Sequence, residues 1–168
     1  MTRPLHIASC SGGKDSVATI LLAAQHGEPM DEIVFAEVMF DKNTTGEVPE
    51  HRDFIYDKLK PFCEKELGVK FTILHGPKTY DDIFHHIIVR GPHQGEKRGF
   101  AWAGMCAANR ECKTNPMKRY NKTLSPDTIS YVGIAIDEPK RLARLEGTPK
   151  ISLLAKYGFT EADALKLC

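Results

Sequence analysis

Ser9-Cys10-Ser11-Gly12-Gly13-Lys14-Asp15-Ser16 places three hydroxyls, two glycines, a lysine and an aspartate in one short stretch. That mixture packs poorly and suits an anion. Gly12 and Gly13 allow a tight turn and a close approach of backbone to ligand. Successive N–H groups in such a turn form a concave nest for negative charge. Ser9, Ser11 and Ser16 add hydroxyl donors, and Lys14 adds a mobile positive charge. Asp15 suits a phosphate poorly; it caps backbone amides or holds a magnesium ion that accompanies the phosphates.

The flanking residues say how the turn is held. Leu5–Ser9 reads as a short buried strand. Lys14–His26 carries Val17, Ile20, Leu21 and Ala24 at helical spacing, and Gly27 and Pro29 end it. A loop between a strand and a helix start presents free amides and the positive end of the helix dipole. The pattern is not GxxxxGK[ST], which would need Gly where Ala8 stands and Ser or Thr where Asp15 stands. It is not GxGxxG either, which disfavours NAD.

Further along, Ile33–Phe40 is an apolar, β-branched run expected as a strand covered on both faces. Glu50–Leu67 has a helical pattern that Pro61 should kink or divide, with Gly68 as its stop. Val69–Leu74 is a third strand. Tyr80–Val89 is a helix with Ile83, Phe84, Ile87 and Ile88 toward the core. Residues 91–104 form a glycine-rich basic loop, where Phe100 and Trp102 stack on a base or anchor the loop. Pro116–Lys122 is a short basic helix and Ile129–Ile136 a fourth strand. Residues 150–157 and 161–167 are terminal helices, the last capped by Thr160. Alternating strands and helices predict an α/β three-layer sandwich with a mainly parallel sheet. Residues 1–145 make the main domain, and 146–168 a C-terminal helical extension.

With 42% hydrophobic and 27% charged residues, the composition is that of a globular chain. A net charge of +1 gives no general polyanion signal, although Lys97, Arg98, Arg110, Lys113, Lys118, Arg119 and Lys122 cluster as a solvated face or a local groove. No apolar stretch nears the roughly 20 residues that span a bilayer, and the N-terminus lacks a secretory signal. A cytoplasmic protein without membrane contact is expected. Five cysteines at irregular spacings do not make a secreted disulfide framework. Cys10 and Cys63 read as small buried residues. His85 and His86 are adjacent on a predicted helix and point apart, and His93 reads as a loop histidine.

Ser11–Ser16 (SGGKDS), followed by an aliphatic helix, resembles the signature of the PP-loop superfamily, the ATP pyrophosphatases and their relatives. It is most similar to the phosphoadenosine phosphosulfate (PAPS) reductase branch. Thr45-Gly46-Glu47-Val48-Pro49-Glu50 resembles that branch's TGxxxPE segment, Cys112–Pro116 its LKxxP segment, and Gly133–Arg141 its GIRxDE..R segment. The resemblance implies a HUP/Rossmann-like fold with an adenine nucleotide across the sheet's carboxyl edge. Phosphate or sulfate would lie on Ser11–Ser16, with Ser9 behind it. Adenine would pack near Phe40, Asp41 and Gly133, beside the Thr45-Gly46 segment. Arg141 and Lys113 would neutralise distal phosphate. Asp137 and Glu138 would bind magnesium, position Arg141, or merely precede a helix as an acidic pair.

The chain departs from that branch in two ways. No ECGLH-like segment is present, so the reductase's sulfur nucleophile is unassigned, with Cys168 as the candidate. Cys106 and Cys112 are ordinary reduced cysteines, or resemble half of a four-sulfur zinc or iron–sulfur site whose later CxxC is missing; in that case the chain is truncated just past Cys168 or the metal site has decayed. Three readings follow. The protein reduces or transfers the sulfonyl group of a PAPS-like nucleotide, with a thiol reductant as partner. Alternatively it is an ATP pyrophosphatase that adenylates a substrate, with the basic stretch 97–122 touching RNA in a nucleobase thiolase. Or it is a non-catalytic nucleotide-binding relative. Self-association into a homo-oligomer is left open.

Overall fold

The computed structural model describes residues 3–100 and 106–168. Five parallel strands form one sheet in the order β3-β2-β1-β4-β5, flanked by helices. The strands are β1 (His6–Cys10), β2 (Glu32–Glu37), β3 (Lys70–His75), β4 (Ile129–Tyr131) and β5 (Lys150–Ile151). β1 lies at the centre, with Ala8 opposite Ile33 on one side and Tyr131 on the other. The chain runs outward from β1 to β3 and returns to β4 on β1's other side. The order therefore reverses between β1 and β4, the place where open α/β sheets bind ligands.

The helices are α1 (Lys14–Gln25), α2 (Pro49–Asp53), α3 (Lys60–Lys65), α4 (Tyr80–Phe84), α5 (Asn115–Thr123), α6 (Pro139–Leu142), α7 (Leu153–Lys156) and α8 (Glu161–Leu167). Pro61 divides the helix expected over 50–67. A π-helical turn at Phe54–Leu59 separates α2 from α3, so Pro61, which has no N–H to donate, enters α3's first turn. Gly27 and Gly68, both at positive φ, end α1 and the helical run before β3 as expected.

Burial follows the sheet. β2 is buried along its whole length, as its apolar run predicts. The buried arc of α1 is wider than its spacing suggests. Ala18, Ile20, Leu22 and Ala23 are fully covered while Ala24 is exposed, because α7 and α8 pack on α1 as well as the sheet. Leu153, Leu154 and Ala164 are also fully buried. The segment expected as a helical extension thus supplies a strand and part of this core.

Three expectations about elements are corrected. The helix expected over 80–89 ends at Phe84. Beyond it, Ile88 and Arg98 donate to Glu96 and His86 carbonyls and Ile87 bridges Lys97, so the β-branched Ile87-Ile88-Val89 run stays extended before Gly91-Pro92. The fourth strand stops at Tyr131, because Val132–Ile136 turns toward the loop beside α1. Lys150 and Ile151 form β5 rather than helix, and Ser152 caps α7 by accepting from the Ala155 amide at 3.1 Å.

The chain divides into two compact units. One holds the residues up to Phe35, Glu50–Thr72 and Leu124–Cys168; the other holds Ala36–Pro49 and Ile73–Thr123. Among the described residues, no helix is long and apolar enough to cross a membrane. Leu154→Ala is expected to destabilise by about 2–5 kcal/mol, as large a loss as a central core truncation. A fall in the denaturant midpoint at unchanged slope checks it.

Candidate functional site

The turn between β1 and α1 is built by crowding and by one hydroxyl. Gly12 has φ +76°, and a Cβ there would overlap Ile55 and lie 2.5 Å from His51 Nε2. His51 Nε2 in turn lies 3.0 Å from the Ser11 carbonyl, which accepts its proton. Ser16 Oγ accepts from the Ser11 amide at 3.2 Å and donates to the Gly13 carbonyl at 2.9 Å. The Gly12 amide points to Cys10 Sγ at 3.3 Å, and the Gly13 amide to Ser11 Oγ at 3.4 Å. The Lys14 and Asp15 amides meet no acceptor among the described residues, and Gly13 brings no side chain to cap them. The anion-competent part of the turn is therefore these two amides at the start of a 12-residue helix. Ser9 is a strand residue paired with Val34 and lies before the turn.

Gly133 touches the same turn. A Cβ on it would lie 2.8 Å from the Asp15 carbonyl carbon and 2.9 Å from the Ser16 amide. The loop after β4 is thus pressed on α1's first turn, at the reversal of strand order. Lys14 Nζ lies 2.7 Å from Asp15 Oδ1 and 3.5 Å from Glu161 Oε2. The hydrogen bond to Asp15 holds the Lys14 ammonium above its ordinary pKa, with Glu161 adding a smaller pull. Asp137 accepts from the Glu161 amide at 3.2 Å and so fixes the start of α8. Glu138 pairs with Arg141 and accepts from the Ala135 amide at 3.2 Å. Arg141 is the main reason its carboxyl sits below the usual range.

Cys168 lies beside the turn. Its thiol donates to the Lys14 carbonyl at 3.4 Å, and burial pushes its pKa up. It borders a cavity of about 400 Å³ whose walls include Val17, Phe54 and Phe62 and whose rim includes Lys14 and Lys58. Cys10 and Cys63 are buried as expected, and burial pushes the Cys63 thiol up to about 12.

The other expected nucleotide residues sit in the second unit. Phe40 is half exposed and stacks on Tyr80 at 5.9 Å. Asp41 accepts from the Asn43 and Thr44 amides at 2.8 and 2.7 Å, and the Asn43 bond leads in lowering its pKa. Thr45 donates to Glu37 at 2.8 Å, the Gly46 amide to the Val38 carbonyl at 2.7 Å, and Lys113 pairs with Glu47 at 3.3 Å. Cys112 is buried and donates to the Lys78 carbonyl at 3.3 Å, while Cys106 is exposed. Among the described residues, no three His, Cys, Asp or Glu side chains converge as metal ligands. Trp102 lies outside the described residues; Phe100 is exposed and meets Phe84 edge-on at 4.9 Å.

Sequence reasoning missed His51 and Glu161, because both reach the turn from elements far away in the chain. It also missed the pair Glu37 and His75, the last residues of β2 and β3. A glutamate inside the apolar run Ile33–Phe40 was the one available signal.

No protein-family model, curated protein or solved structure matches this chain. The fold and site define an α/β protein with an anion-competent turn at the carboxyl end of its central strand.

Two outcomes are expected. Gly12→Ala and Gly133→Ala each destabilise by about 1–3 kcal/mol through overpacking, whereas Gly13→Ala, whose Cβ meets only Ser11 Oγ at 3.5 Å, keeps the native fold; thermal unfolding compares them. In a Cys106→Ser background, iodoacetamide alkylation of Cys168 should reach half-maximal rate at a higher pH than free N-acetylcysteine, since a raised pKa leaves less thiolate at any given pH.

Proposed function

We propose that the protein binds an adenine nucleotide with its anionic end on the β1–α1 turn and acts on the nucleotide's sulfonyl or phosphate group, as a PAPS reductase-like member of the PP-loop superfamily. The observation that carries this reading is the pair of open amides at Lys14 and Asp15, at the start of α1 and beside the Lys14 ammonium. The resemblance of SGGKDS supplies the nucleotide. An incoming phosphate or sulfate would take Lys14 from Asp15 and Glu161 and accept from both amides. Negative charge developing on the leaving group is stabilised by donors already in place.

The position of Cys168 favours the sulfonyl route. Its thiolate would attack the sulfonyl sulfur, and the S–O bond to the nucleotide phosphate would break with its electron pair leaving on that phosphate. A second thiol, from a small dithiol or a dithiol protein, would then attack the Cys168 sulfur, release sulfite and leave a disulfide. The same thiol's raised pKa favours the alternative, an ATP pyrophosphatase in which the two amides receive the pyrophosphate leaving group. In a nucleobase-modifying version, exposed Lys118, Arg119 and Lys122 on α5 would meet RNA phosphates. Magnesium would accompany the phosphates in either route. Asp15 is paired with Lys14, and Glu138 with Arg141.

Calorimetry with ATP and with PAPS, and mass spectrometry of the products, test the reading. Wild type is expected to bind at least one of them, and Lys14→Ala to weaken binding by about tenfold or more, the loss of one charge-assisted contact. Sulfite identifies the sulfonyl route; pyrophosphate with an AMP adduct identifies the alternative. Unchanged affinity in Lys14→Ala, or no binding by wild type, overturns the proposal.

A further inference from the structure

A small concavity within the second unit gathers basic side chains from three separate segments. Lys78 comes from the loop between β3 and α4, His86 and Arg98 from the antiparallel stretch after α4, and Arg110 from a π-helical turn at Asn109–Thr114. Of the basic residues clustered at 97–122 in the sequence, Arg98 and Arg110 reach it. Ile83, which is buried, supplies an apolar part of the wall. The volume is about 40 Å³. That is room for roughly three waters, and too little for a base or a sugar ring.

The segments are held against one another. The Cys112 thiol donates to the Lys78 carbonyl at 3.3 Å, and a Cβ on Gly76 would lie 3.0 Å from the Glu111 carbonyl oxygen, so the β3–α4 loop packs on the π-helical turn. The Arg98 amide donates to the His86 carbonyl at 2.9 Å. Two carboxylates also line the concavity, and both are committed. Asp82 Oδ2 accepts from the Thr79 amide and hydroxyl at 2.9 and 3.0 Å. Glu111 accepts from Arg110 Nε at 2.9 Å and from Asn115 Nδ2 at 3.1 Å. The Thr79 amide leads in lowering the Asp82 pKa and Arg110 in lowering that of Glu111; Lys78 adds a weaker pull on each. Lys78 Nζ, the Arg98 guanidinium and the Arg110 Nη groups form no hydrogen bond or ion pair among the described residues.

Cations brought together in this way repel one another. A solvated basic face would spread them outward, whereas these line one concavity the size of an oxyanion. A guanidinium presents a planar fork that matches phosphate oxygens. Half-buried His86 adds a ring N–H in either tautomer. We propose that this concavity binds a phosphate dianion, as the free ion or as the end of a small phosphomonoester, whether or not a nucleotide binds the β1–α1 turn. Arg98 and the Arg110 Nη groups donate to its oxygens, and Lys78 balances its charge.

The test is a titration of the full ¹⁵N-labelled chain with inorganic phosphate, at ionic strength held constant with chloride, read at backbone amides and arginine side chains. Saturable shifts are expected at Lys78, His86, Arg98 and Arg110. Arg98→Ala and Lys78→Ala, both at exposed positions, should each weaken phosphate binding by about threefold or more. Arg98→Lys should weaken it less, and Lys65→Ala on α3 should leave it unchanged. A parallel titration with glycerol phosphate separates the sources. Equal affinity supports the proposal and assigns the phosphomonoester; binding of inorganic phosphate alone supports it and assigns the free ion. No saturable shift at those residues, shifts that chloride reproduces, or an equal loss in Lys65→Ala overturns the proposal. Shifts confined to the Lys14 and Asp15 amides also overturn it and leave the reading of the β1–α1 turn standing.

Discussion

The close contact of two loops at the centre of the sheet governs the rest of the site. Gly133 presses on the backbone of Asp15 and Ser16, and Ser16 Oγ ties the Ser11 amide to the Gly13 carbonyl. Any side chain at 133 would push α1 away from the end of β4. Any side chain at 12 would meet Ile55 and His51. The turn is therefore clamped from both sides, and the first two amides of α1 are left as its open donors. Without the clamp, fraying of the first helical turn would scatter those donors and weaken the pull of the helix dipole.

Charge at the turn is balanced from within the chain. Lys14 rests between Asp15 and Glu161, and Asp137 fixes the helix end that carries Glu161. These pairs are partly exposed, so their worth to stability is small and falls with salt. The second unit handles charge differently. Glu37 and Glu47 are withdrawn from water and hold Thr45, Lys113 and His75 by short contacts. There the lower dielectric strengthens each bond and raises the cost of removing any one partner.

Local chemistry was legible along the chain wherever it was carried by neighbours in sequence. β1, its turn and α1 are read from an apolar run, paired glycines and a 3.6-residue period. Pro61 divided its helix and Gly68 ended it because their backbone limits act locally. Ile87-Ile88-Val89 was misread because a run of apolar residues fits helix and strand equally, and hydrogen bonds from the Ile88 and Arg98 amides to the Glu96 and His86 carbonyls decided between them. β5 was missed because a two-residue edge strand has too little pattern to read.

By itself, the sequence determined the α/β class, the parallel sheet and the placement of SGGKDS at a strand-to-helix turn, because each follows from local periodicity and backbone freedom. Tertiary structure alone decided which amides in that turn stay open and which side chains consume the others. It alone brought His51, Glu161 and Cys168 to the turn and His75 to Glu37. Those contacts join residues 38 to 154 positions apart, over separations where no local pattern constrains which side chains meet.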